Sequence, residues 1–186
     1  MMARLFIAAP LSEETRNEIE VVVNPLRVAS PSASWSRPEA YHVTFAFLGE
    51  QDQSVIEPLA AELTKRLQWV RPFDLVATQC GFFPNARRPR VGWIGLSPES
   101  ALNGVARHVR DALVAQKVEF DSKPFVAHLT LARLQDGWSA GDVENFSRSL
   151  EGFATSPHPL TEVSIYKSQL SPKGAVHTAL KTFYLT

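Results

Sequence analysis

Apolar residues run without a break from Leu5 to Ala9, after Met1-Met2-Ala3-Arg4, and Pro10 closes the run. A short apolar stretch with a breaker at its end predicts a buried strand over Arg4 to Ala9. Ser12 then predicts a helix N-cap, with Glu13 and Glu14 in the first turn where carboxylates complement the helix dipole. Ile19, Val22 and Val23 form the buried stripe of that helix, which is expected to stop before Pro25. The Ser/Pro-rich segment from Ala29 to Pro38 predicts a loop pinned by Trp35. A second strand is expected over Tyr41 to Leu48, ended by Gly49. From about Asp52 to Trp69, the apolar residues Val55, Ile56, Leu59, Ala60, Leu63 and Leu67 recur at helical spacing.

Two strands, Phe73 to Phe83 and Arg90 to Leu96, are expected to flank a turn through Pro84-Asn85-Ala86-Arg87-Arg88-Pro89. Ser97-Pro98 predicts a cap and a first-turn proline for a helix that buries Leu102, Val105, Val109 and Leu113. A strand from Phe125 to Leu134, a short helix near Asp142 to Leu150, and strands over Leu160 to Leu170 and Val176 to Leu185 around Pro172-Lys173-Gly174 complete the chain. Strands and helices mixed in this order predict an α+β fold of largely antiparallel sheet covered by helices.

Composition narrows the picture only a little. With 186 residues, 45% hydrophobic and 20% charged, the chain is expected to form one domain over 1–186 with a core of its own. Nineteen basic residues balance nineteen acidic ones, so no overall field draws it to nucleic acid or membrane. Cys80 is the only cysteine, which excludes an internal disulfide and a thiolate zinc cluster and fits a cytoplasmic protein. The N-terminal apolar run is short, contains Pro10 and leads into acidic residues, so a buried strand is expected there rather than a secretion signal. No stretch approaches the roughly 20 apolar residues of a membrane span.

One repeat changes the picture. Tyr41-His42-Val43-Thr44-Phe45-Ala46-Phe47-Leu48-Gly49-Glu50 and Ala127-His128-Leu129-Thr130-Leu131-Ala132-Arg133-Leu134-Gln135-Asp136 share His-x-Thr-x-Ala-x-Leu and a closing acid, 86 positions apart. About 0.3 His-x-Thr triplets are expected by chance in a chain of this composition. On a strand, residues i and i+2 share a face, so His42 shares one with Thr44 and His128 one with Thr130. In regular alternation Ala46 and Ala132 continue these faces, while Val43, Phe45, Phe47, Leu129 and Leu131 face a hydrophobic layer. Two pseudo-symmetric lobes would then present both polar faces to one cleft.

A lone His-x-Thr strand is more often structural, but two matched copies favour a joint site. Imidazole exchanges protons near neutral pH, so one neutral and one charged ring can act as base and acid at a phosphorus atom. Two threonine hydroxyls can hold the non-bridging oxygens. This chemistry needs neither metal nor cofactor, and the usual zinc and two-metal signatures are missing from the sequence.

The sequence is similar to the 2H phosphoesterases, and among them to the RNA 2′,3′-cyclic phosphodiesterases, also described as 2′-5′ RNA ligases. The resemblance runs from Arg4-Leu5-Phe6-Ile7-Ala8 through both motifs, Val91-Gly92-Trp93-Ile94-Gly95-Leu96 and Pro124-Phe125 to Ser168-Gln169-Leu170. It implies a bilobal fold with a cleft between the motifs and hydrolysis of RNA terminal 2′,3′-cyclic phosphates to 2′-phosphates. It also implies His42 as proton donor, His128 as proton acceptor, and Thr44 and Thr130 as phosphate ligands. Alternatives on the same fold are 2′-5′ ligation in the reverse direction and an idle RNA-end or nucleotide-binding module. The expected partners are RNA ends or nucleotides bearing the cyclic phosphate, met by a monomer.

Three further residues are weaker candidates for substrate contact: Arg133, Phe6 and His177. Arg133 lies five residues beyond His128, so it reaches the cleft only through a twist, a bulge or the strand's end. Phe6 and Trp35 are read first as packing residues that can also stack on a base. Arg87, Arg88 and Arg90 are read first as a solvated hairpin tip that can also meet RNA phosphates. Two residues depart from the family pattern. Ala127 stands where a proline often precedes the second motif, and His177 where a tyrosine is common. His108 and His158 are read as structural.

Overall fold

The first apolar run pairs on both sides in the structure, a computed structural model that describes residues 1–30, 32–134, 138–171 and 174–186. Strand β1 (Met2–Pro10) lies between β3 (His42–Asp52) and β8 (Glu162–Ser171), with β9 (Gly174–Tyr184) outside β8. Being paired on both sides and covered, β1 buries Leu5 to Ala9 almost completely. A second sheet has the order β2 (Ser34–Trp35), β6 (His128–Arg133), β5 (Val91–Ser97), β4 (Phe73–Phe83), β7 (His158–Leu160). All pairings between these strands are antiparallel. Each sheet carries one His-x-Thr motif, as two lobes with one polar face apiece require.

The helices are α1 (Glu13–Ala29), α2 (Ile56–Leu67), α3 (Glu99–Ala115) and α4 (Ala140–Ser149). Ser12 caps α1, its Oγ accepting from the Thr15 amide at 3.1 Å. The helix runs through Pro25 instead of stopping before it. Pro25 and Val21 are exposed, so water can serve the carbonyl that the missing N–H leaves unbonded. Beyond it Leu26 is buried and Arg27 forms a two-pronged ion pair with Glu20. A 3₁₀ turn, Gln53–Val55, opens α2, with Asp52 as its cap at 2.9 Å from the Ser54 amide. In α4 a reciprocal Ser139/Asp142 capping box moves the start two residues ahead of the expected one.

Ile19, Val23, Leu59, Leu63, Leu102, Val105, Val109 and Leu113 belong to one buried cluster that spans both sheets. Each such side chain contributes roughly 1.5–3 kcal/mol through removal from water. Strands β2 and β7 were not anticipated; they are two and three residues long, too short for any alternation to register. Pro172 and Lys173 of the expected final turn, and Gln135 and Asp136 at the end of the second motif, lie outside the described residues. No described helix is long and apolar enough to cross a membrane.

Candidate active site

The two motifs carry the same irregularity at the same place. In β3, Ala8 pairs with Thr44 and Ile7 with Ala46, so Phe45 is an extra residue; in β6, Trp93 pairs with Thr130 and Gly92 with Ala132, so Leu131 is extra. A bulge of this kind restarts the alternation one residue out of step. Phe45 and Ala46 are consequently both buried, as are Leu131 and Ala132, and the next residue returns to the face of the histidine. That residue is Phe47 in one strand, 49% exposed, and Arg133, also exposed, in the other. Two expectations are corrected here. Ala46 and Ala132 belong to the core, and Phe47 faces the cleft rather than the hydrophobic layer.

Backbone carbonyls two residues upstream orient both imidazoles. His42 Nδ1 donates to Ala40 O at 2.6 Å and His128 Nδ1 to Val126 O at 2.8 Å. A carbonyl only accepts, so each neutral ring carries its proton on Nδ1 and keeps the Nε2 lone pair free. The supports beneath are different in the two lobes. A 3₁₀ turn, Pro38–Ala40, presents the Ala40 carbonyl, and the buried Tyr41 next to it donates to Glu20 Oε1 at 2.6 Å, tying the strand to α1. On the other side, Phe125 stacks on Phe45 at 5.6 Å, and the Asp121 amide bonds to the Phe47 carbonyl at 2.8 Å. The segment before His128 is thus fastened to the strand that bears His42. Ala127 is held through its carbonyl by the Leu96 amide at 3.0 Å.

Each histidine stands against an aromatic wall of its own. His128 meets Phe83 edge to face at 4.8 Å and Trp93 at 6.1 Å. Trp93 lies across Gly81, where an added Cβ would run into the indole. His42 lies 5.2 Å from Phe6 and 5.5 Å from His177, ring centre to ring centre. Burial pushes His42 down to about 4, the Ala40 hydrogen bond opposes this, and the charges of His177, His128 and Arg133 add to it. Burial also lowers His128 and His177, with the Val126 bond opposing it in the first. The charges of His177, His128 and Arg133 all act on His42, in the region where β3 and β6 approach each other.

Thr44 and Thr130 are half-buried on the histidine faces, and no described residue occupies either hydroxyl. Phe6 is only 4% exposed, enclosed by His42, Phe47, Tyr166 and His177. It supports the histidines from behind and leaves little face for a base. Phe83 and Trp93 were not picked out as site residues by sequence reasoning, although both flank the expected basic turn within predicted strands. Trp35 donates to Ser30 O at 3.0 Å and packs near Trp138 and Phe146, which pins its loop as expected. His158 bonds to Glu18 at 2.8 Å, a structural tie from β7 to α1. Among the described residues no group of three or more His, Cys, Asp or Glu is placed to hold a metal ion.

Comparison with known proteins agrees with the duplicated architecture. The family described as LigT like phosphoesterase matches the chain twice, over residues 9–93 and 94–177, one match for each motif. An RNA 2′,3′-cyclic phosphodiesterase of Archaeoglobus fulgidus is 31% identical over 97% of this chain and 99% of its own length. One from Thermus thermophilus is 31% identical over 98% and 90%. A third, from Geobacillus stearothermophilus, is 30% identical over 89% of this chain, which spans 52% of that longer protein. A crystal structure of a Thermus thermophilus protein superposes with a TM-score of 0.78 at 26% identity, covering 98% and 97% of the two chains. Escherichia coli LigT complexed with 3′-AMP superposes at 0.76 with 22% identity, over 100% and 99%, and shares the fold.

Proposed function

The chain belongs to the LigT like phosphoesterase family of 2H phosphoesterases, and we propose that it hydrolyses RNA terminal 2′,3′-cyclic phosphates to 2′-phosphates. The observation that carries this reading is the pair of Nδ1-anchored imidazoles on opposed strands, each with a half-buried threonine on its own face. Neutral His128 takes a proton from water through Nε2, the water oxygen attacks phosphorus, and the P–O3′ bond breaks on the far side. His42 gives its proton to the departing O3′, leaving a 3′-hydroxyl and a 2′-phosphate. Thr44 and Thr130 donate to the non-bridging oxygens, and Arg133 neutralises charge gathering on them.

The lowered pKa values of the two rings suit these parts unequally. A lowered value keeps His128 neutral, as a base requires. His42 is uncharged in the empty cleft near neutral pH, and the anionic phosphate restores its proton when it docks, since an opposite charge nearby favours the protonated form. The acid is therefore armed by its substrate. Ligation of a 5′-hydroxyl end would use the same atoms, with O5′ in place of water.

We read the whole chain as one two-lobed domain that works as a monomer, a reading supported by both motifs and both aromatic walls coming from one copy. A single free cysteine fits the reducing cytoplasm. The test is incubation with a nucleoside or oligonucleotide 2′,3′-cyclic phosphate in excess chelator. The expected product is the 2′-phosphate with the rate undiminished. Intact substrate would refute the enzyme, and activity lost on chelation alone would refute the metal-free mechanism.

A further inference from the structure

Phe83, Val91 and Arg133 form one row across β4, β5 and β6, and just beyond that row lies the hairpin tip that joins β4 to β5. Phe83 leans on His128, so the tip begins where the reaction centre ends. Its shape is held by backbone bonds. Asn85 Oδ1 accepts from the Arg87 and Arg88 amides at 3.0 and 3.1 Å, the Arg90 amide bonds to Phe83 O at 2.7 Å, and the Leu134 amide bonds to Arg90 O at 2.9 Å. Arg87, Arg88 and Arg90 are exposed. Ion pairs join Arg27, Lys65, Arg66, Lys123, Arg148 and Lys181 to carboxylates, but among the described residues none reaches Arg87, Arg88, Arg90 or Arg133.

A chain of zero net charge thus keeps four guanidinium groups along one edge of its cleft with no carboxylate of the described residues against them, the innermost acting on His42. We propose that the Pro84–Arg90 tip is a track for single-stranded RNA, whose phosphates upstream of the terminal cyclic phosphate meet Arg87, Arg88 and Arg90. The proposal rests on the phosphodiesterase reading for the position of the RNA end. Charge complementarity and continuity with Arg133 favour a polyanion leading out of the cleft. A nucleotide with no upstream phosphate would not reach the tip, so the track distinguishes an RNA end from a free cyclic nucleotide. The contacts are to phosphate and carry no base preference.

The experiment compares wild type with Arg87→Gln/Arg88→Gln and Arg87→Lys/Arg88→Lys on a hexanucleotide ending in 2′,3′-cyclic phosphate and on cytidine 2′,3′-cyclic phosphate. In the glutamine variant kcat/KM for the hexamer is expected to fall roughly tenfold at low salt, with the mononucleotide rate within about twofold of wild type. The lysine variant keeps the charge and is expected to restore most of the loss. Binding of the same hexamer ending in a 2′-phosphate, followed by fluorescence anisotropy, is expected to lose roughly one unit of its log–log salt slope. Equal losses on both substrates, or no loss on either, would overturn the proposal. If wild type cleaves neither substrate, the proposed function falls, and the anisotropy slope still decides whether the tip binds RNA.

Discussion

His42 and His177 meet edge to face, their ring centres 5.5 Å apart and their planes at 85°. They come from opposite edges of one sheet, with Phe6 between them at 5.2 and 4.9 Å. Among the described residues, no carboxylate is one of the charges that act on either ring. Two imidazolium ions at this distance oppose each other, and the charge of His177 already depresses His42. Replacing His177 with phenylalanine keeps a ring in place and removes its charge. The imidazole titration of His42, followed by NMR in the protein without substrate, is expected to move up. An unmoved titration would reduce His177 to a piece of the wall.

The carbonyl-anchored geometry predicts how the proposed catalytic pair responds to asparagine. In His42→Asn and His128→Asn the amide can still donate toward Ala40 O or Val126 O, while nothing remains at the position of Nε2. Each variant is expected to keep its melting temperature within a few degrees and to lose roughly 10²–10⁴-fold in kcat. Retained activity in either variant would remove that histidine from proton transfer.

Arg133 tests the asymmetry between the halves. The matched bulges bring Phe47 and Arg133 to equivalent places on the two faces, yet one is an aromatic ring and the other a cation. Arg133→Gln is expected to weaken competitive inhibition by inorganic phosphate roughly tenfold, in line with the loss of one charged hydrogen bond. The same change relieves one of the charges that depress His42, so the His42 titration should rise with it. Phosphate inhibition that is unchanged would place Arg133 outside the anion site.

The same two bulges mark the limit of what the chain's pattern discloses. His42, Thr44, His128 and Thr130 were legible because a repeated spacing survives any fold that keeps both strands. The positions of Ala46, Phe47, Ala132 and Arg133 were not, because regular alternation holds only until one residue is left unpaired. Nothing in the side chains of Phe45 or Leu131 announces that they will be the extra ones. The order of the larger elements was readable from apolar spacing, while Pro25 was misjudged because Leu26 and Arg27, beyond it, still have partners in the folded chain. His177 joined the site through strand register, opposite Ser168 in β9, a relationship 135 residues away from His42 along the chain.

Burial of His42 also ties stability to pH. Its folded value of about 4 lies below the ordinary 6.5, so the unfolded chain binds the proton more readily. The stability associated with the neutral ring is complete above pH 6.5 and is lost progressively as pH falls toward 4. Between pH 7.5 and 5 the shift corresponds to about 2 kcal/mol. His42→Gln cannot take up that proton in either state. Urea denaturation at the two pH values is therefore expected to show wild type losing about 2 kcal/mol more than the variant. The carboxylates common to both proteins cancel in this difference. Equal losses would mean that His42 titrates near its ordinary value, and the acid would then carry its proton before the phosphate arrives.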